Sequence, residues 1–153
     1  MDPPTALLAR GGEVRVIAVD PGGTTGYAEW DSERGLIAFG QIDEWMTACS
    51  LLLDRHPDVI VCESFRITVE TAKKARSYDA LYQLGVFKYE CAKLGIAYDV
   101  QAPGDRMFAT PKKLATMGWE PKGDHAKSAT MHLLTWLFNN GHITPLELSL
   151  GDC

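Results

Sequence analysis

The sequence has no apolar run long enough to cross a membrane. Its longest candidates, VRVIAV, VIVC and the mixed stretch ATMHLLTWLF, fall well short of the roughly 20 residues a spanning helix needs. Cysteine is scarce. Cys49, Cys62, Cys91 and Cys153 form no C-x-x-C pair and no regular spacing, which argues against a disulfide frame or a zinc site and reads as reduced thiols in a cytosolic protein. The opening MDPPTALLARGG lacks the basic patch and apolar core of a secretion signal. Internal repeats and low-complexity tracts are missing as well. Basic residues are outnumbered, giving a net charge of −5, which argues against a protein held to nucleic acid by bulk charge alone.

What is present suits one folded domain. The chain has 153 residues, 46% hydrophobic and 23% charged, an ordinary globular composition. Charge is unevenly spread. Residues 64–127 hold 11 Lys/Arg against 7 Asp/Glu, a local +4, and the remainder hold 4 against 13, a local −9, which together make the −5. A basic middle in an acidic chain can hold a phosphate backbone on one face, although solvated helix faces produce the same pattern.

Residues 1–12 read as a lead-in ending in Gly11-Gly12, and 13–153 as the domain. E-V-R-V-I-A-V-D reads as a buried strand ending at Asp20, and P-G-G-T-T-G as a tight turn. G-Y-A-E-W and L-I-A-F-G-Q-I are further strands joined by a polar hairpin at Asp31–Gly35. Asp43 is placed to cap a helix through Arg55 that turns Trp45, Ala48, Leu52 and Leu53 inward. Pro57 ends it, and D-V-I-V-C-E-S-F reads as a buried central strand. Val69, Ala72, Ala75, Leu81, Leu84 and Cys91 at helical spacing predict a long helix from Thr68 to Leu94, stopped at Gly95. I-A-Y-D-V-Q is a fifth strand. Thr110-Pro111 is a helix start, and a last helix runs from Asp124 to about Asn139. The order β-β-β-α-β-α-β-α-α predicts a mixed five-stranded α/β sheet, three antiparallel hairpin strands plus two parallel ones, with helices on both faces.

Asp20 and Glu63 each end a strand. If those strands are parallel neighbours, the two carboxylates emerge side by side, where one pKa rises or a cation binds. Asp20 before Pro-Gly also suits a plain turn. Glu63, in an apolar run, has fewer structural explanations. On the last helix, G-D-H-A-K-S-A-T-M-H spaces Asp124, Ser128 and His132, and His125 with Ser128, along one polar stripe. Asp124 is also positioned as an N-cap, and His125 and His132 suit surface or satisfied core positions. Together these oxygen and imidazole donors suit Mg²⁺ or Mn²⁺.

These residues carry a resemblance. V-I-A-V-D-P-G-G-T-T-G-Y-A resembles the first motif of the RuvC-like Holliday junction resolvases, D-V-I-V-C-E-S-F their fourth-strand glutamate motif, P-K-K-L-A-T-M-G their basic segment, and H-A-K-S-A the opening of their last helix, over roughly residues 14–138. The resemblance implies an RNase H-like fold, a homodimer, and hydrolysis of branched DNA such as Holliday junctions, flaps and forks by two divalent ions per active site, about 4 Å apart. It makes Asp20 the carboxylate shared between metals, Glu63 the second ligand and His125 a helix ligand. Ser128 stands where the family has Asp, and Asp124 is our own candidate for the missing carboxylate. Compaction before the final helix resembles the bacteriophage branch, which implies a phage-encoded protein of the bacterial cytosol. No membrane and no small-molecule cofactor are expected. Candidate DNA contacts are Lys73, Lys74, Arg76, Arg106, Lys112, Lys113, Trp119, Lys122 and Lys127. Phe108 and Trp119, near loops, are candidates for stacking on an unpaired base, whereas Tyr78 and Tyr82 are expected in the core.

Three other readings fit parts of the pattern. D-P-G-G-T-T-G also resembles the phosphate loop of actin- and hexokinase-type ATPases, but one domain of this length lacks the second half of their clamp. Ser128 would suit a branched-DNA binder with an impaired metal site. In a purely structural domain, Lys127 is the obvious partner for the acids.

Overall fold

The computed structural model describes residues 12–65 and 78–149. Strands β1 (Arg15–Asp20), β2 (Thr25–Asp31), β3 (Gly35–Ile42), β4 (Val59–Glu63) and β5 (Ala97–Gln101) form one sheet in the order β3-β2-β1-β4-β5. β1 pairs antiparallel with β2 and parallel with β4, and β5 extends the parallel half. The helices are α1 (Trp45–Leu53), α2 (Asp79–Leu94), α3 (Pro111–Thr116), α4 (Asp124–Asn139) and α5 (Pro145–Ser149), with a 3-10 helix at Pro103–Phe108. The expected mixed α/β sheet is the one observed. The 3-10 helix and α5 are additions that the sequence pattern does not predict.

Side-chain alternation in the central strands builds two cores. Val16 and Ala18 of β1, with Val59 and Val61 of β4, face the layer containing α4. Ile17, Val19, Ile60 and Cys62 face the layer containing α1 and α2. Both faces are therefore covered, so these strands read as continuous apolar runs. Cys49, Cys62 and Cys91 are buried free thiols; burial pushes Cys49 up to about 12 and Cys91 up to about 11. Such thiols are filler, not nucleophiles. Among the described residues no helix is long and apolar enough to cross a membrane.

Several boundaries differ from expectation. α1 stops at Leu53 instead of Arg55, with Asp54 as its C-cap. His56 lies at φ 51°. The cap of α1 is Glu44, which accepts from the Thr47 amide, and not Asp43. The expected long helix is seen from Asp79 onward; Val69, Ala72 and Ala75 lie outside the described residues. α2 turns Gln83, Phe87 and Cys91 inward, leaving Leu81 exposed. Gln83 sets that rotation. Its amide nitrogen donates to Thr25 Oγ1 at 2.8 Å and its oxygen accepts from Gly22 N at 2.9 Å. Tyr78 and Tyr82, expected in the core, consequently fall on the outer face and are exposed.

Candidate active site

Register places the two strand-end acids. Val19 of β1 lies opposite Cys62 of β4, so the next residues, Asp20 and Glu63, leave the sheet side by side at the same end. The turn after Asp20 is held from behind by buried Gln83.

Helix α4 lies across this end of the sheet. Gly26, which pairs with Asp20 in the β1–β2 ladder, has no side chain, and the His125 backbone fills the space a Cβ would take. His125 Nδ1 thereby comes within 3.1 Å of Asp20 Oδ2. The helix N-cap, Gly123, offers no side chain. Gln41 of β3 replaces it, its Oε1 accepting from the amides of His125 (3.0 Å) and Ala126 (3.4 Å). One and two turns along, Ser128 Oγ donates to Glu63 Oε2 at 3.3 Å and fully buried His132 meets the same oxygen through Nε2 at 3.0 Å. His132 Nδ1 is buried with no hydrogen-bond partner among the described residues. Arg106, from the 3-10 helix, donates to Ser128 Oγ at 2.9 Å and stands 3.6 Å from Glu63 Oε2.

The two acids differ electrostatically. Burial, followed by the charge of Glu63, pushes the Asp20 carboxyl above its ordinary value, and His125 only partly offsets them. Burial also pushes Glu63 up, but its hydrogen bond to His132, the His132 and Arg106 charges and the Ser128 hydroxyl outweigh that and hold it below its ordinary value. Beside them opens a cleft of about 390 Å³, lined by Asp20, Arg106, Asp124, His125, Lys127 and Ser128 among others. A larger cavity of about 680 Å³ lies between α1 and α2, on the opposite face of the sheet, and includes none of these residues.

No family model and no curated protein sequence matches the chain. Solved structures do. The RuvC of T. thermophilus, in complex with a Holliday junction substrate, superposes at a TM-score of 0.60 with 17% identity, covering 80% of this chain and 91% of that one. The fowlpox virus Holliday junction resolvase gives 0.57 with 16% identity over 81% and 97%. The chain has the RuvC-like resolvase fold.

Within the RuvC-like fold, the donor chemistry of the cleft fits a divalent cation. Asp20 is a carboxylate whose ionised form is disfavoured by burial and by a neighbouring acid, a cost that a cation relieves. Among the described residues no three His, Cys, Asp or Glu side chains already stand grouped as a metal site. The residues that would hold an ion are Asp20 with Asp124 and His125, which share the cleft, and Glu63 beside them.

The RuvC-like fold also sorts the remaining candidates. Trp119 is a core residue, 7% exposed in the layer under α4, and not a stacking platform. Phe108 is tied up in packing, its ring 4.7 Å from that of Phe138 and capped by the Lys113 ammonium at 3.7 Å. Lys113 also donates to the Phe108 carbonyl at 3.0 Å, so it is committed to the fold. Lys112, Lys122 and Lys127 are on the surface. Lys73, Lys74 and Arg76 lie outside the described residues. Arg106 faces Glu63. His132, which the sequence suits to a surface or core position, is a principal partner of Glu63; its place on the polar stripe with Ser128 is the signal in the sequence for that role. Lys127, the expected partner of the acids, lines the cleft, while His125, His132 and Arg106 meet them.

Proposed function

We propose that this chain is a divalent-metal-dependent, structure-selective endonuclease that hydrolyses phosphodiester bonds in branched DNA. The observation carrying this reading is the placing of Asp20 and Glu63 at the ends of adjacent parallel strands, beside a cleft that also holds Asp124, His125 and Lys127. A divalent ion bound there supplies water activation and neutralisation of the phosphodiester charge. The chain's own residues do the rest. Asp20 and Asp124 supply oxygen donors at the cleft, and Gln41 and Gly26 fix the helix start that carries His125. His125 holds Asp20 in orientation. Lys122 and Lys127, exposed near the helix start, meet backbone phosphates. The fold neighbours that bear the names of junction resolvases support DNA of that shape as substrate.

The reading includes a homodimer, since paired cuts need two sites. The exposed side chains Met46, Tyr82, Tyr89 and Leu94 on α1 and α2 are the candidate face, and sedimentation of the purified chain tests it.

Cleavage is tested with an end-labelled four-way junction, a flap and a linear duplex, each incubated with Mg²⁺, Mn²⁺ or EDTA. Metal-dependent nicking of the branched substrates is expected. Junctions retarded but uncut would make the protein a binder, with Ser128 as the first suspect.

A further inference from the structure

We propose that Arg106 is a built-in cation of this cleft that occupies the place of a second metal ion, so that the site takes one divalent ion, on the Asp20 side. This rests on the reading of the cleft as a metal-dependent nuclease site and replaces the two ions per site that the resemblance implies.

The two strand-end acids are met differently. Two hydrogen-bond donors and one cation converge on a single oxygen of Glu63: His132 Nε2 at 3.0 Å, Ser128 Oγ at 3.3 Å and, as an ion pair, Arg106 Nη1 at 3.6 Å. Arg106 is itself fastened by its 2.9 Å bond to Ser128 Oγ. Its guanidinium keeps its charge at any working pH, so this neutralisation is permanent. Asp20 Oδ2, in contrast, is met by His125 Nδ1 at 3.1 Å, and Asp124 shares its cleft.

Ser128 makes the arrangement possible. A hydroxyl donates to Glu63 and accepts from Arg106 simultaneously, linking the two in a chain that a second cation would have to break. It adds no negative charge. Counted without the histidines, Asp20, Glu63 and Asp124 against Arg106 leave a formal charge of −2, matched by one divalent ion. An additional carboxylate at position 128 without Arg106 would leave −4, matched by two. Lys127 also lines the cleft, but it is exposed and is assigned to the DNA backbone.

The test counts bound Mn²⁺ on the full chain by calorimetry, and by the paramagnetic resonance signal of the free ion, for wild type, Arg106→Lys, Arg106→Ala and the double variant Arg106→Ala/Ser128→Asp. Junction cleavage is assayed in parallel. One ion per chain is expected for wild type and Arg106→Lys, and two for the double variant. Ser128 is buried, so Ser128→Asp can fail to fold, and circular dichroism identifies that case. Arg106→Ala alone then decides: a second bound ion, or at least a tenfold tighter one, is expected, and an unchanged isotherm overturns the proposal. A wild type that binds two ions and cuts junctions overturns the role of Arg106 and leaves the nuclease reading standing. A wild type that binds no Mn²⁺ and cuts nothing overturns both.

Discussion

Gly26 and His125 touch through their backbones: a Cβ on Gly26 would lie 2.0 Å from the His125 carbonyl oxygen. Gly26 pairs with Asp20 across the ladder, so the absence of one methyl group sets how closely the helix carrying His125 approaches the carboxylate. Gly26→Ala must push the start of α4 off the sheet. The expected cost is about 3 kcal/mol, the upper end for overpacking, or roughly 10 °C in melting temperature for a chain of this size, together with loss of junction cleavage. Gly85→Ala is the control, since a Cβ there meets nothing within 4 Å and the helix should gain about 1 kcal/mol. Equal melting temperatures for the two variants would refute the contact.

Much of this site is legible in the sequence, and the remainder is hidden for identifiable reasons. Strand-end acids are visible because an apolar run that ends in Asp or Glu states its own register, and Asp20 and Glu63 emerge together as that register requires. The stripe on α4 follows from helical spacing, and His125, Ser128 and His132 do meet the two acids. Depth of burial is not legible. Glu63 reads in the sequence as the costly core carboxylate, yet Glu29 of β2 is more deeply buried and is simply ion-paired with Arg55, a partner 26 positions away. Trp119 stands beside a loop in the sequence, as a stacking residue would, but it packs under α4 through contacts that no local pattern encodes. Arg106 reads as one phosphate contact among many; its bond to Ser128 crosses 22 residues and depends on the 3-10 helix that the sequence does not announce.

Asp20→Asn separates function from stability. Removing the charge should lower cleavage by at least about 100-fold, more than removal of a merely supporting partner costs, while junction binding in a mobility-shift assay stays equal or tightens. In EDTA the variant should melt above wild type, because burial and the charge of Glu63 disfavour the ionised Asp20 it replaces. A variant that cuts normally would displace the assigned centre, and one that melts lower would contradict the electrostatics.

The lysines divide by what they already touch. Lys122→Ala and Lys127→Ala should each reduce the slope of log binding constant against log salt by about 0.9 for every phosphate left without its cation. Lys113→Met should leave that slope unchanged and lower the melting temperature, because its ammonium is committed to the Phe108 ring and carbonyl. The check is a salt titration of junction binding for all three; a reduced slope for Lys113→Met would place the DNA across α3.

Acid titration should move the two carboxylates in opposite directions. Burial pushes Glu63 up, but His132, Arg106 and Ser128 overcome it and hold the group below its ordinary 4.5. Its stabilising contribution is therefore complete above pH 4.5 and is lost as pH falls through the lower folded value. Asp20 is raised above 3.8 by burial and by Glu63, so its contribution is complete below pH 3.8 and is lost as pH rises through the higher folded value. Urea unfolding in EDTA checks both signs. Wild type should exceed Glu63→Gln by about 2 kcal/mol at pH 6, the scale of a charge-assisted hydrogen bond, and that lead should shrink below pH 4.5. Asp20→Asn should lead wild type at pH 6 and lose the lead on acidification, when the protonated aspartic acid becomes a near match for asparagine. Differences that ran parallel with pH would mean that the two acids are not held in these opposed environments.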